Sequence, residues 1–408
     1  MEEDFILETE EVNNKKGIKI FLSILKYITI IGVTITITYF CTINFTIKSY
    51  LTGSDSTYLS TKLNLVKNKL KDTYIYDLDS KKMIEYAIKG YVAGVGDTYT
   101  QYLTESNMKD LLESTSGSYV GIGVYMINNT ENNTVTIVGV IEDSVAEKAG
   151  LKVGDIISKV DDKEYNGTQL EEVSGAIKGQ EGTNVKITII RDGSQIDYNI
   201  KRANIKVKTV GSDMLDGNIA RIRVTSFNEG TAKEFLNAYN DLKEKNPKGL
   251  IIDLRNNGGG LVDESLKMAD YIVAKGNKLL MTTNKSKDER VDKAKQDPII
   301  NIPVVLLINE NTASASEIFA GALKDNNNVT IVGKNSYGKG VIQSVFSFTD
   351  GTGIKVTTDE YFTPNHNVIN KVGIKPDIEI DQDEKWKGYA NLPYENDLQL
   401  QKAVEQFK

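Results

Sequence analysis

The fold is decided by a stretch in the C-terminal half. Val304-Val305-Leu306-Leu307-Ile308 is an unbroken apolar run. After Asn309-Glu310-Asn311 it gives way to Thr312-Ala313-Ser314-Ala315-Ser316-Glu317-Ile318-Phe319-Ala320. A short, branched apolar run of this kind reads as a strand buried on both faces. Ser314-x-x-Glu317 ahead of apolar residues reads as the start of a helix. The same order recurs upstream. Ile219 to Val224 is a strand, and Ala232, Phe235, Leu236, Tyr239 and Leu242 mark one face of a helix. Leu250 to Leu254 is a second buried strand, and Leu261 to Ala274 a second helix. Strands alternating with helices predict an α/β layer with a largely parallel sheet.

Working outward, residues 118–202 change period. Val135, Ile137 and Gly139 alternate with Thr136 and Val138, which suits a strand. Ile187 to Ile190, followed by Arg191-Asp192-Gly193-Ser194, reads as a strand entering a hairpin turn. Leu170, Val173 and Ile177 repeat at helical spacing between them. This predicts a small, mostly β module with one main helix. Residues 57–115 read as helical, with Met83, Ile84, Ala87, Ile88 and Tyr91 sharing one side. Beyond 385 the chain is polar except for Leu398, Leu400, Ala403 and Val404, which predict a short docking helix.

Tyr27 to Ile47 carries no formal charge and is long enough to span a bilayer, which takes about 20 residues. Lys15, Lys16, Lys19 and Lys26 precede it, and only Lys48 follows closely. The positive-inside rule places the N-terminus in the cytosol and the bulk of the chain outside. No small-residue cleavage site follows, so the run reads as an uncleaved anchor in the cell membrane. Cys41 reads as a small apolar residue within it.

Composition narrows the chemistry. The 408 residues include one histidine and one cysteine, with a formal net charge of −7. A single cysteine excludes an internal disulfide framework and multi-cysteine metal sites. A single histidine excludes zinc motifs built on paired histidines, and makes any Ser-His-Asp or Cys-His enzyme depend on His366. The acidic balance argues against nucleic-acid binding.

Three segments could carry chemistry. Tyr119-Val120-Gly121-Ile122-Gly123-Val124 could offer backbone N–H groups to a carboxylate, or be a simple strand turn. Asp253-Leu254-Arg255-Asn256-Asn257-Gly258-Gly259-Gly260 follows a buried strand, where α/β sheets place ligands. Its N–H groups could meet an oxyanion, or the segment could be a tight connection. A phosphate loop there lacks the Gly-Lys-Ser/Thr signature. Ser314 could cap a helix or act as a nucleophile, favoured by the helix N-terminus and the next N–H, from Ala315. Such a serine needs a base. His366 sits in the polar turn Thr363-Pro364-Asn365-His366-Asn367 and is a poor one. Gly338-Lys339-Gly340-Val341-Ile342-Gln343 offers a lysine instead. On a strand, Lys339, Val341 and Gln343 would share a face, and Gln343 could orient the amine. An ordinary lysine titrates near pH ~10.4, so burial would have to make it a base.

In combination these motifs resemble the C-terminal processing (tail-specific) peptidases, PDZ-containing serine proteases with a Ser-Lys-Gln arrangement. The resemblance runs from about 80 to 380. It includes Gly96-Asp97-Thr98-Tyr99-Thr100-Gln101-Tyr102-Leu103-Thr104, the 119–124 segment and Glu147-Lys148-Ala149-Gly150-Leu151-Lys152-Val153-Gly154-Asp155. It continues through 253–260, 312–317, 338–343 and Val372-Gly373-Ile374-Lys375-Pro376-Asp377. No single motif carries it; their order and spacing do.

The resemblance implies a PDZ domain over 118–203 and an α/β protease core over 204–384 with a ClpP/crotonase-like fold. These follow a cytosolic tail (1–26), a transmembrane helix (27–47) and a helical region (50–117), and precede a helical segment (385–408). It implies Ser314 as nucleophile, with Ser316 a minor rival, and Lys339 as general base, 25 residues further on. Gln343 would orient the amine, and the N–H groups of Gly259 and Ala315 would form the oxyanion hole. Gly258 stands where the family usually has proline, which predicts a looser loop. Tyr119, Val120, Gly121, Ile122, Gly123 and Val124 would bind the substrate tail. The implied partners are proteins with accessible C-terminal tails, with no metal or cofactor. Homodimeric assembly and gating by the PDZ module are further implications. The rival expectation is a catalytically inactive PDZ scaffold.

Overall fold

The computed structural model describes residues 19, 21–42, 55–129, 132–327, 329–386 and 392–408. The chain divides into two compact units, Met1–Ile84 and Glu85–Lys408. In the first, Phe21–Thr42 is a helix of 22 residues with a mean hydropathy of 1.8. At 1.5 Å per residue it is about 33 Å long, enough to cross a bilayer. It starts six residues before the expected span and takes in Lys26. Residues 43–47 of that span lie outside the described residues. Most of its threonine hydroxyls are paired within the helix. Those of Thr29, Thr34, Thr36 and Thr42 donate to the carbonyls four residues back at 2.7–2.8 Å. Such internal bonds lower the cost of placing hydroxyls in an apolar medium.

The helical region that follows is not helical throughout. Helices Asp55–Thr73, Ser80–Ala93 and Glu105–Ser116 are interrupted by a strand, Gln101–Leu103. In Ser80–Ala93 only Val92 is buried, and Ile84, Ile88 and Tyr91 are exposed. Of the apolar side expected there, these three face outward, while Met83 and Ala87 are half-buried.

Residues 124–201 form an antiparallel six-stranded sheet around Val135, Ile137, Ile157, Val185, Ile187 and Ile189. Val173 and Ile177 of the helix Leu170–Ile177 close this core. Arg191 pairs with Ser194 across a two-residue hairpin in which Asp192 and Gly193 have φ of 51° and 76°. Positive φ at both positions is what a turn matching strand twist requires. Val124–Asn129 lies at the sheet's end, paired on one side only, by Thr134–Val140.

The C-terminal core is built on a six-stranded sheet in the order Val210–Leu215, Ile219–Val224, Gly249–Asp253, Val304–Ile308, Thr330–Gly333, Ile378–Glu379. Its first pair is antiparallel and the rest are parallel. The unbroken apolar runs are explained by burial on both faces. Val304, Leu306 and Ile308 pack with helices Thr231–Lys243, Val262–Asp270 and Ala315–Asp325. Val305 and Leu307 pack on the other face with Leu400, Ala403 and Val404 of the last helix, Leu398–Val404, while Leu398 is exposed. A second, antiparallel sheet joins Gln101–Leu103, Gly353–Phe362, Lys278–Asn284 and Glu289–Lys293, with Val341–Ser347 also on Gly353–Phe362. The mixed α/β class is as expected.

Candidate active site

Two loops leave the carboxyl ends of the neighbouring parallel strands Gly249–Asp253 and Val304–Ile308. They are cross-bonded. The Thr312 hydroxyl donates to the Leu254 carbonyl at 2.9 Å. The Asn257 carbonyl accepts from the Ala313 N–H and from the Ser316 hydroxyl, each at 3.0 Å. Ser316 is fully buried and its hydroxyl serves as a tether, which removes it as a rival nucleophile. Behind the loop, half-buried Arg255 bridges buried Asp253 and Asp397, each at 2.7 Å.

Ser314 ends the second loop, half-buried, at φ 59° and ψ −119°. Two ordinary caps in the same molecule show how unusual this is. Thr104 and Ser144 precede their helices at φ −66° and −67°, and their hydroxyls accept from Asn107 and Glu147. A non-glycine residue at positive φ is strained, and persists only where its surroundings hold it. A sharp strand-to-helix turn of this kind projects a side chain from the sheet edge.

Glu317 holds it. This fully buried carboxylate accepts from the Ser314 N–H at 2.8 Å, one arm of the expected capping box. It also accepts from the Lys339 N–H at 2.9 Å, the Gly338 N–H at 2.7 Å and the Ser336 hydroxyl at 2.5 Å. One carboxylate thus ties together the backbones of the candidate nucleophile and base. The Tyr361 hydroxyl adds a second tie, bonding the carbonyls of both Ser314 and Lys339. From sequence Glu317 reads only as part of a helix cap, and Tyr361 carries no motif. Apart from the Ser314 N–H, their partners lie 19 to 47 residues away, so no local pattern signals them.

Lys339 is half-buried. Gly340 beside it lets the backbone of Asn370 approach, since a Cβ there would lie 2.3 Å from the Asn370 nitrogen. Burial, and then the positive charge of Lys355, push the Lys339 amine below the ordinary lysine range, while Asp97 and Glu317 pull the other way. The amine lies over the Tyr99 ring, 4.7 Å from its centroid. No hydrogen bond joins it to the Ser314 hydroxyl or to Gln343 in this structure. Gln343 donates instead to the Thr357 hydroxyl at 3.2 Å. Lys339 lies ahead of the strand, which starts at Val341, so strand alternation does not set its side relative to Gln343.

Of the expected oxyanion donors, the Ala315 N–H has no partner among the described residues and opens the helix beside Ser314. Gly259 is packed against it. A Cβ at Gly259 would lie 2.8 Å from Ser314 Cβ and 3.0 Å from the Ala315 nitrogen, and its φ is 105°. Its N–H, however, donates to Asn257 Oδ1 at 2.9 Å. Gly258 has no such engagement and open space around it. His366 is exposed in a turn, stacked on Phe362 with centroids 4.7 Å apart.

In the other module, Tyr119, Val120 and Gly121 lie in a strand paired with Ala203–Lys206. The Ile122 side chain is buried in the core. Its carbonyl and that of Gly123 accept from Ala146 and Ile141, each at 2.9 Å. The N–H groups of Ile122 and Gly123 have no partner among the described residues. Val124 begins the edge strand, near the helix Leu170–Ile177.

A parallel-sheet core with a strained serine at a helix N-terminus, joined to a small sheet module with an open edge, defines a PDZ-bearing serine protease. Residues 218–380 match peptidase family S41, and residues 136–191 match the PDZ domain. The carboxy-terminal processing protease CtpA of Bacillus subtilis (strain 168) is 36% identical over 381 residues, covering 93% of this chain and 80% of that protein. The photosystem II D1 C-terminal processing protease is 30% identical over 77% of this chain and 86% of its own, with a TM-score of 0.47. A structure from Bacteroides fragilis NCTC 9343 assigned to the S41 proteases covers 82% of this chain and 92% of its own, at 16% identity and a TM-score of 0.52, and shows the shared fold. The chain belongs to peptidase family S41 and is a serine-type endopeptidase homologous to the C-terminal processing proteases.

Proposed function

We propose that the chain is a membrane-anchored endopeptidase that captures protein C-terminal tails through its PDZ module and cleaves by a serine–lysine mechanism. The carrying observation is the Glu317 carboxylate, which binds the N–H groups of Ser314 and Lys339 together. Such a tie gives a serine and a lysine far apart in sequence a fixed relation. In the reaction the neutral Lys339 amine takes the Ser314 proton as the hydroxyl attacks the scissile carbonyl. The tetrahedral oxyanion is held by the Ala315 N–H and by the Gly259 N–H, which exchanges Asn257 Oδ1 for substrate oxygen. Lys339 then protonates the leaving amine, and water hydrolyses the acyl-enzyme. Gln343 acts at one remove, through Thr357 on the adjoining strand.

The tail adds to the edge of Val124–Asn129, with its carboxylate on the N–H groups of Ile122 and Gly123. Tyr119, Val120 and Gly121 support this loop, and the helix Leu170–Ile177 walls the groove. Phe21–Thr42 serves as the single membrane span, with the lysines before it in the cytosol and the catalytic unit outside. Homodimeric assembly rests on the family resemblance alone, and light scattering of the purified chain tests it.

The test uses the full chain in detergent and an unfolded protein ending in apolar residues. Wild type cleaves it, with or without chelator, and Ser314→Ala and Lys339→Ala do not. Full activity in either variant sinks the assignment. Binding of the tail with no cleavage by any form would support the scaffold reading.

A further inference from the structure

In Ser-His-Asp enzymes a third group orients the base and stabilises the charge it acquires. The resemblance gives that part to Gln343, yet the Gln343 amide is bonded to Thr357. The group that faces the Lys339 amine is an aromatic ring contributed from 240 residues upstream. We propose that Tyr99 is a positioning residue for the general base. Its ring face seats the Lys339 amine and stabilises the ammonium that forms as Ser314 is deprotonated.

The ring centroid lies 4.7 Å from Lys339 Nζ, within the range in which a cation is attracted to an aromatic face. Tyr99 is held in place. Its N–H donates to Asp97 Oδ1 at 3.1 Å, and the Thr100 hydroxyl donates to Asp97 Oδ2 at 2.6 Å. The Thr357 N–H donates to that same Thr100 hydroxyl at 3.1 Å. The next residues, Gln101–Leu103, pair with Gly353–Lys355. Tyr99 is therefore fixed to the strand that also carries Thr357, the acceptor of Gln343. Burial, together with the neighbouring Tyr337, raises the Tyr99 phenol above its usual range, so the ring stays neutral while the amine titrates.

The charged and titratable groups around the amine come from several elements. Lys355 lies on the paired strand, Asp97 in the loop before Tyr99 and Glu317 on the nucleophile's helix. Tyr337 lies beside Tyr99, and Tyr361 bonds the Lys339 carbonyl. Asp97 and Glu317 favour the charged amine and Lys355 disfavours it. The ring differs from these in touching the amine itself. Its attraction is larger for ammonium than for amine, so it is greater in the transition state than at rest. That is the condition for lowering a barrier.

The inference rests on the serine–lysine reading, and the experiment separates the two. The full chain in detergent is labelled with a small fluorophosphonate, which reports Ser314 reactivity without a peptide-binding step, from pH 6 to 10. Removing the ring lowers the amine's affinity for protons. In Tyr99→Leu the acid limb therefore moves down by about half to one pH unit, and the high-pH plateau falls about three- to tenfold. Tyr99→Phe keeps the ring and stays within about twofold of wild type at every pH. Tyr99→Trp, with a stronger π face, moves the acid limb up, and it carries the test if the leucine variant does not fold. A Tyr99→Leu profile like wild type overturns the proposal. So does a uniform loss with an unmoved acid limb, or a Trp variant whose limb does not rise. Lys339→Ala is run alongside. Wild-type labelling in that variant defeats the serine–lysine reading, whereas an inert Lys339→Ala beside a silent Tyr99→Leu defeats the role of Tyr99 alone.

Discussion

Replacing Glu317 with glutamine changes one oxygen of a buried carboxylate to an amide nitrogen. Oε1 serves the Ser336 hydroxyl and the Gly338 N–H, and Oε2 serves the N–H groups of Ser314 and Lys339. Whichever way the amide turns, at least one backbone N–H then faces an NH₂ group. The Ser336 hydroxyl cannot freely adapt, because it already accepts from the Ile374 N–H at 2.6 Å. Each stranded buried donor costs about 1–3 kcal/mol, and the surviving bonds lose their charge assistance, roughly another 1–2 kcal/mol. With one donor stranded the total of about 2–5 kcal/mol does not exceed the ~5–15 kcal/mol stability of a typical domain, so the chain should still fold. Urea unfolding followed by circular dichroism should show a lower midpoint with an unchanged slope. Peptidase kcat should fall at least ~100-fold, because an error of about 1 Å between reacting groups costs that much. The acid limb of the pH–rate profile should also move down, since one of the charges favouring Lys339 protonation is gone. Wild-type midpoint and wild-type kcat in Glu317→Gln would refute the view that this carboxylate joins nucleophile to base.

Removing the positive charge of Lys355 with Lys355→Gln eases protonation of Lys339, so the acid limb should shift to higher pH. Gly258→Pro should keep activity within a few-fold, because the position has open space and its φ is not positive. A drop of ~100-fold there would instead assign the oxyanion donor to Gly258. Gly259→Ala should abolish cleavage, as its methyl would lie 2.8 Å from both Ser314 Cβ and the Ala313 carbonyl oxygen. His366→Ala should be silent in every assay, and a pH profile changed by that variant would argue against lysine as the base.

The strands of the parallel sheet were legible because both faces are buried. Val304 to Ile308 has no polar position to obscure its pattern, and its bounds match the structure. The Arg191–Ser194 hairpin was legible through turn chemistry. The second sheet was not. Glu289–Lys293 and much of Val341–Ser347 are polar or exposed, so their pairing depends on partners elsewhere in the chain. The same limit applies at the site. Ser314 and Lys339 stood out through local motifs, but Lys339 precedes the strand that carries Gln343, so strand alternation does not relate the two. Tyr99 lay within a quoted motif with no role attached, because only the folded chain brings it to Lys339. The N-terminal apolar helix was legible through its lack of charge, which also misplaced its start: backbone helicity extends to the N-terminal side of Lys26, whose long side chain can reach polar surroundings.

The helix behind Ser314 is buried from Ala315 to Leu323 without interruption. In hydrogen-exchange terms, its amides should open only with the core as a whole. The serine therefore sits on one of the slowest elements of the molecule. Turning such a protease on and off by moving its nucleophile would mean loosening the entire unit. The parts free to move on a working timescale are those brought to the serine: the loop carrying Gly258 and the Lys339 side chain. Control of this enzyme, by whatever signal, has to act on the base or the oxyanion loop and leave the serine where it is.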